Sequence, residues 1–234
     1  MCPPPLPPPA RATRLPFLAS GLVFASLSAV LLVLVSVRWS PLMSLDTTVA
    51  EALHRRAVTE PTLVHANRVL TDWVWDPWTM RVLTAVVVIA LWWRGSRLLA
   101  GWVAATSLLA TLVQQGLKAA VGRERPQWLD PVDSAHYAAF PSGHVMTAAV
   151  TCGLLVWLLR LHDAPPALWW GSAVIALVSV AGVAFTRVYL GVHWLSDVVG
   201  GVLLGGTVVT LSVAGHTAYT RRLRRQACDE GSPL

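Results

Sequence analysis

Six stretches of this 234-residue chain are almost free of charge, at about Leu15–Val37, Pro77–Trp93, Leu98–Ala119, Gly143–Leu159, Ala167–Thr186 and Val198–Gly215. Each approaches or reaches the length a helix needs to cross the ~30 Å hydrocarbon core of a bilayer. The pattern predicts an all-α chain, a polytopic bundle of six transmembrane helices over residues 15–216. Residues 39–76 are mixed and polar, and Thr48-Val-Ala-Glu51 has the spacing of a capping box, so a helix is expected to start there. Trp73, Trp75 and Trp78 read as an interfacial belt ahead of the second span. Arg81 interrupts that span one turn in, where its head group can snorkel to water. The Pro-rich residues 1–14 are expected to form an extended cytoplasmic tail, and the basic residues 217–234 a second one. The first stretch is longer than a signal-peptide core and ends in Val-Arg-Trp-Ser, which is no small-residue cleavage site, so it is expected to stay as a span.

Composition agrees. The chain is 55% hydrophobic and 13% charged, where a soluble domain carries roughly 25% charged residues. That excludes a water-soluble domain, a disordered chain and a disulfide scaffold. Cys2, Cys152 and Cys228 form no zinc or disulfide spacing. The net charge of +6 does not imply nucleic acid, because no basic stripe interleaved with aromatics lies outside the spans. Arg221, Arg222, Arg224 and Arg225 follow the last span directly and read as an anchor on anionic membrane lipid. With six spans, the side holding both tails carries nine basic and three acidic residues, and the other side carries nine of each. The tie in basic residues breaks when Lys118, Arg123, Arg125 and Arg187 are assigned to a ligand, which leaves the tails cytoplasmic. A bacterial plasma membrane is the expected location.

Three segments carry candidate chemistry: Lys118 to Arg125-Pro126, Pro141-Ser142-Gly143-His144, and Arg187 through His193 to Asp197. They fall at the end of span three, the start of span four and the hinge between spans five and six. In an up-and-down chain all three lie on one membrane face, so the site is expected at the extracytoplasmic ends of helices 3–6. The residue types suit a phosphate ester. Lys118, Arg123, Arg125 and Arg187 supply positive charge and forked donors. Ser142 and Gly143 open a helix, whose N–H groups and dipole favour phosphate oxygens. His144 and His193 offer a proton donor and a nucleophile, and Asp197, four residues on, can fix the tautomer of His193. Singly, these residues read more simply as interfacial anchors, an N-cap or a dipole partner. It is their order and spacing together that outweighs those readings.

The three segments resemble the type 2 phosphatidic acid phosphatase and haloperoxidase superfamily, whose pattern is Lys, six residues and Arg-Pro; Pro-Ser-Gly-His; and Ser-Arg, five residues, His, three residues and Asp. The match covers about residues 98–215, with Thr186 in place of the usual Ser. The resemblance implies a metal-independent lipid phosphatase of the membrane branch that needs no cofactor. His193 would attack phosphorus, His144 would protonate the leaving oxygen, and Asp197 would orient His193. Lys118, Arg123, Arg125, Ser142, Gly143 and Arg187 would bind the phosphate. Polyprenyl (undecaprenyl) diphosphate, phosphatidic acid and phosphatidylglycerol phosphate all fit, the lipid diphosphate being favoured by analogy. The alternatives are a lipid phosphotransferase using the same phosphohistidine and a non-catalytic lipid-binding protein. Gln114 and the Gly201–Gly205 pair read as helix packing inside the bundle.

Overall fold

The computed structural model of the protein describes residues 10–230, and side chains over residues 15–226. Among these residues every regular element is helical: α1 (Ala10–Ser36), α2 (Ser40–Thr59), α3 (Pro61–Val69), α4 (Pro77–Trp93), α5 (Arg97–Val121), α6 (Gly143–Leu161), α7 (Pro166–Tyr189) and α8 (Leu195–Glu230). A π-helical turn, Leu70–Val74, follows α3. Six segments are long and apolar enough to cross a membrane: Leu15–Ser36, Pro61–Trp93, Arg97–Val121, Gly143–Leu161, Pro166–Tyr189 and Leu195–Gln226. Five of the six expected spans fall within one of them, and the first overruns its segment by one residue, Val37.

Helix α6 is the hub, packing on α4, α5, α7 and α8. It is apolar all round, as a helix surrounded by others must be. Met146, Val150, Leu154 and Leu158, spaced by four residues, are buried in one core cluster with Val103 of α5 and Val213 of α8. By contrast Val174, Ile175, Leu177 and Val178 of α7 are exposed, a surface suited to lipid. Helix α1 lies antiparallel on α8: Gly21 meets Thr210 and Leu211, and Phe24 packs on Gly206. The middle of α1 therefore meets the middle of α8, and the start of α1 runs toward the end of the bundle away from the start of α8.

Among the glycines, the closest approach to another helix's backbone is that of α8 to α6. A Cβ at Gly201 would lie 2.9 Å from the carbonyl oxygen of Ser142 and 3.1 Å from the amide of Met146. Gly205 lies against Ala149 one turn on, so the small-residue pair is spent inside the bundle. Gly201→Ala is expected to destabilise the detergent-solubilised protein by about 1–3 kcal/mol, because backbone cannot yield as a side-chain tip does. A thermal melt would register this as a clear fall in Tm.

Several boundaries differ from expectation. Helix α2 starts at Ser40 rather than at Thr48, with Pro41 in its first turn, where proline costs no hydrogen bond. Its buried stripe Asp46, Ala50, His54 and Ala57 already needs helix before Thr48. Trp73 and Trp78 are exposed as a belt requires, but Trp75 turns inward, its ring against Gly182 of α7. The expected N-terminal tail lies outside the described residues over 1–9, while 10–14 are already helical. Likewise residues 217–230 continue α8 as helix.

Candidate active site

Local sequence puts each functional group at a helix end. Gly122, at φ +56°, closes α5 by returning its N–H to the carbonyl of Lys118 at 3.0 Å, the left-handed cap that glycine adopts without strain. Lys118 thus sits in the last turn of α5 and donates to the carbonyl of Ala138 in the following loop. That loop is tied back by Ala139 N–H to Arg123 O at 2.8 Å. Ser142 occupies the N-cap position of α6, yet its buried hydroxyl bonds neither the helix nor any other protein group. Gly143 follows it and His144 is the next residue. Gly143 packs directly on Gln114: a Cβ there would lie 2.7 Å from the amide nitrogen of that side chain, which would have to move. Between α7 and α8 the chain turns through Gly191 at φ +70°, with its carbonyl accepting from the Trp128 indole at 2.9 Å.

The turn delivers His193 buried at 1% exposure, beside Asp197 at 0%. His193 Nδ1 and Asp197 Oδ2 are 3.3 Å apart, and His193 Nε2 lies 3.2 Å from Arg125 Nη1. A guanidinium has only donors and a carboxylate only acceptors. The imidazole is therefore neutral, with its proton on Nδ1 and its lone pair on Nε2. Burial, and then the charges of Arg125, Arg187 and Lys118, hold its pKa well below the ordinary histidine value. The backbone N–H of Trp194 donates to Asp197 Oδ2 at 2.9 Å. Ser142 N–H donates to the carbonyl of Asp197 at 3.0 Å, which ties the start of α6 to the first turn of α8.

The expected cations divide into two groups. Arg125 is fixed by the carbonyls of Tyr137 and Val192, both at 2.5 Å, and faces the lone pair of His193. Arg187, 5% exposed, bonds the Thr71 hydroxyl at 3.3 Å through Nη1, while its buried Nε has no protein partner. Arg123 is placed differently. Its Nη1 donates to Asp197 Oδ1 at 2.6 Å and its Nη2 to Asp46 Oδ2 at 2.7 Å, so both ends of its fork are engaged by carboxylates. Thr186 keeps its hydroxyl within α7, donating to the carbonyl of Val183 at 2.9 Å.

Asp46, Ser196 and Thr71 complete this arrangement and were not among the expected site residues. Asp46 carried a readable signal: it heads the helical stripe with Ala50, His54 and Ala57, where a charged residue had no other reason to be. Thr71 carried none, because the π-helical turn is what aims it at Arg187. Among the described residues, no group of three or more His, Cys, Asp or Glu side chains forms a candidate metal site.

A cavity of about 360 Å³ opens between α4, α5 and α6. It is lined mostly by apolar groups such as Val88, Ile89, Leu108 and Val150, and it reaches Gln114 and Met146. Gln114 is the residue packed on Gly143, so an apolar groove adjoins the start of α6.

The family model of the PAP2 superfamily matches residues 99–221. Phosphatidylglycerophosphatase B of Bacillus subtilis is 35% identical over 118 residues, 49% of this chain and 56% of that protein. An undecaprenyl-diphosphatase of Sulfolobus acidocaldarius is 36% identical over 75 residues, 32% of each chain. The aligned region thus spans little more than half of the first relative and a third of the second. The crystal structure of a transmembrane PAP2 type phosphatidylglycerolphosphate phosphatase from Bacillus subtilis superposes with a TM-score of 0.72 at 22% identity, over 82% of this chain and 94% of that one. That likeness concerns the fold.

Proposed function

Because the chain belongs to the PAP2 superfamily, we propose that it hydrolyses a phosphomonoester or diphosphate carried by a membrane lipid, through a phosphohistidine on His193. One observation carries this reading: the neutral His193, its proton held on Nδ1 by Asp197 and its lone pair on Nε2 turned to a cluster of cations. The relatives named for phosphatidylglycerophosphate and undecaprenyl diphosphate support a lipid phosphate as substrate. So does the apolar groove that adjoins Gly143.

In the first step the Nε2 lone pair attacks phosphorus, and the bond from phosphorus to the lipid or phosphate oxygen breaks. His144 gives its proton to that oxygen. The imidazole becomes cationic as the N–P bond forms, and the Asp197 carboxylate offsets that charge. In the second step a water attacks phosphorus, its proton goes to His144, and the N–P bond returns its electrons to Nε2. Arg125, Arg187 and Lys118 bind the phosphoryl oxygens, whose charge grows in both transition states. The buried Ser142 hydroxyl and the first amides of α6 add neutral donors.

Arg187→Lys retains the charge and removes the fork, which is no conservative change at a bidentate site. It is expected to weaken inhibition by orthovanadate, a phosphorane mimic, by about tenfold, equivalent to ~1.4 kcal/mol. The site is placed on the extracytoplasmic face, with the tails cytoplasmic. On that placement Ser134→Cys, in the exposed α5–α6 loop, is labelled in intact cells by a membrane-impermeant maleimide in a background lacking the native cysteines. Labelling only after the cells are opened reverses the orientation. Function itself is tested by phosphate release from polyprenyl, glycerolipid and sphingolipid phosphates in detergent, with EDTA present. Turnover of at least one class is expected, and none from any class would reject the reading.

A further inference from the structure

We propose that Asp46, on α2, is a positioning residue for His193, acting through Arg123 and the first turn of α8. It is 1% exposed, and its carboxylate has three partners. Oδ1 accepts the backbone N–H of Ser196 at 2.8 Å. Oδ2 accepts the Ser196 hydroxyl at 2.5 Å and Arg123 Nη2 at 2.7 Å.

The Ser196 contact is a helix cap delivered from elsewhere in the chain. Helix α8 begins at Leu195, so Trp194 stands at its N-cap position and has no side-chain acceptor to offer the first free N–H groups. Asp46, 150 residues away in sequence, supplies that acceptor to the second residue of the helix. Asp197 is the third, and it reaches back to the Trp194 N–H as the acidic member of a capping box does. The first turn of α8 is held from both sides by carboxylates, and the orientation of Asp197 toward His193 depends on where that turn sits.

The Arg123 contact sets charge. Buried together are two carboxylates and one guanidinium, with Arg123 and Asp197 in contact at 2.6 Å and Arg123 and Asp46 at 2.7 Å. Paired with Asp197 alone, the arginine would draw on the negative charge that has to hold the Nδ1 proton and balance the phosphohistidine. Sharing the guanidinium with Asp46 leaves Asp197 the net excess. The same sharing fixes Arg123 on Oδ1, so that Oδ2 remains for His193. Ser196 closes the ring, its hydroxyl oxygen accepting from Arg123 Nη1 at 2.6 Å.

This inference rests on the phosphatase reading, and two measurements keep them apart. In the first, Asp46→Asn is expected to lower kcat by about 10–100-fold, the scale on which a small misplacement of a reacting group acts. KM should stay within about threefold, since no phosphate contact is touched. Part of that loss should be absent when Asp46→Asn is added to Arg123→Gln, because the Arg123 route is already cut in that background while the Ser196 route remains. Equal losses in both backgrounds, or a raised KM with kcat intact, would overturn the proposal. Ser196→Ala, a milder variant that leaves every charge in place, is expected to lower kcat several-fold without moving KM. It supplies the same comparison should Asp46→Asn fail to fold.

The second measurement needs no turnover. In 15N-histidine NMR of the substrate-free protein, Asp46→Asn should shift the His193 ring nitrogens away from the pure Nδ1–H tautomer. Unchanged His193 signals would overturn the proposal, and a shift in a protein without any phosphatase activity would instead reject the phosphatase reading alone.

Discussion

His193→Ala lowers phosphate release from the lipid substrate by about 10⁴-fold or more, the scale set by losing an enzymatic nucleophile. Neither of the side chains bonded to its ring substitutes for it. Asp197 is fully buried and already bound to Arg123 and the Trp194 amide, and Arg125 has no lone pair to offer. The cations that hold the phosphate remain, so KM should move far less than kcat. Orthovanadate binding should weaken as well, because the metal-like centre of the mimic loses its nitrogen ligand. A variant that kept near-parental kcat would leave His193 with no role beyond packing.

Asp197→Asn is the second large effect, with an expected loss of about 10³–10⁴ in kcat, by analogy with removing the orienting carboxylate of a serine protease triad. The carboxylate now accepts from three donors: Arg123 on one oxygen, and His193 Nδ1 and the Trp194 amide on the other. An asparagine has one oxygen, and the charged Arg123 claims it. The amide group is then turned to His193, where it donates to Nδ1 and drives the ring proton to Nε2. The lone pair then sits on the wrong nitrogen. Histidine 15N NMR of the variant should report the reversed tautomer alongside the lost kcat. The Nδ1–H tautomer persisting with kcat lost would instead assign Asp197 to electrostatic stabilisation of the phosphohistidine.

Much of this arrangement was legible before any coordinates. Span-length apolar stretches set the number of membrane spans, and Lys118, Ser142-Gly143-His144 and His193 to Asp197 fall at helix ends by register alone. The partition of the cations was not legible. Arg123 and Arg125 are two residues apart and chemically alike in the sequence. Only the fold turns one to a pair of carboxylates and the other to the imidazole. Asp46 escaped for a related reason. Its partners Ser196 and Arg123 lie 150 and 77 residues away, and no local pattern encodes pairings at that distance. The start of α2 was misplaced because the Thr48–Glu51 spacing imitates a capping box. In the folded chain both residues lie inside the helix, and the Asp46, Ala50, His54 stripe decides where α2 must begin.

The central claim is that phosphorus is transferred to Nε2 of His193. The most direct measurement is rapid acid-free quenching of the protein with a 32P-labelled lipid phosphate, followed by peptide mapping. The expected product is an acid-labile, base-stable label on the peptide containing His193, absent from His193→Ala. Label on any other residue, or turnover with no protein-bound phosphate at any quench time together with an His193→Ala variant that still releases phosphate, would contradict it.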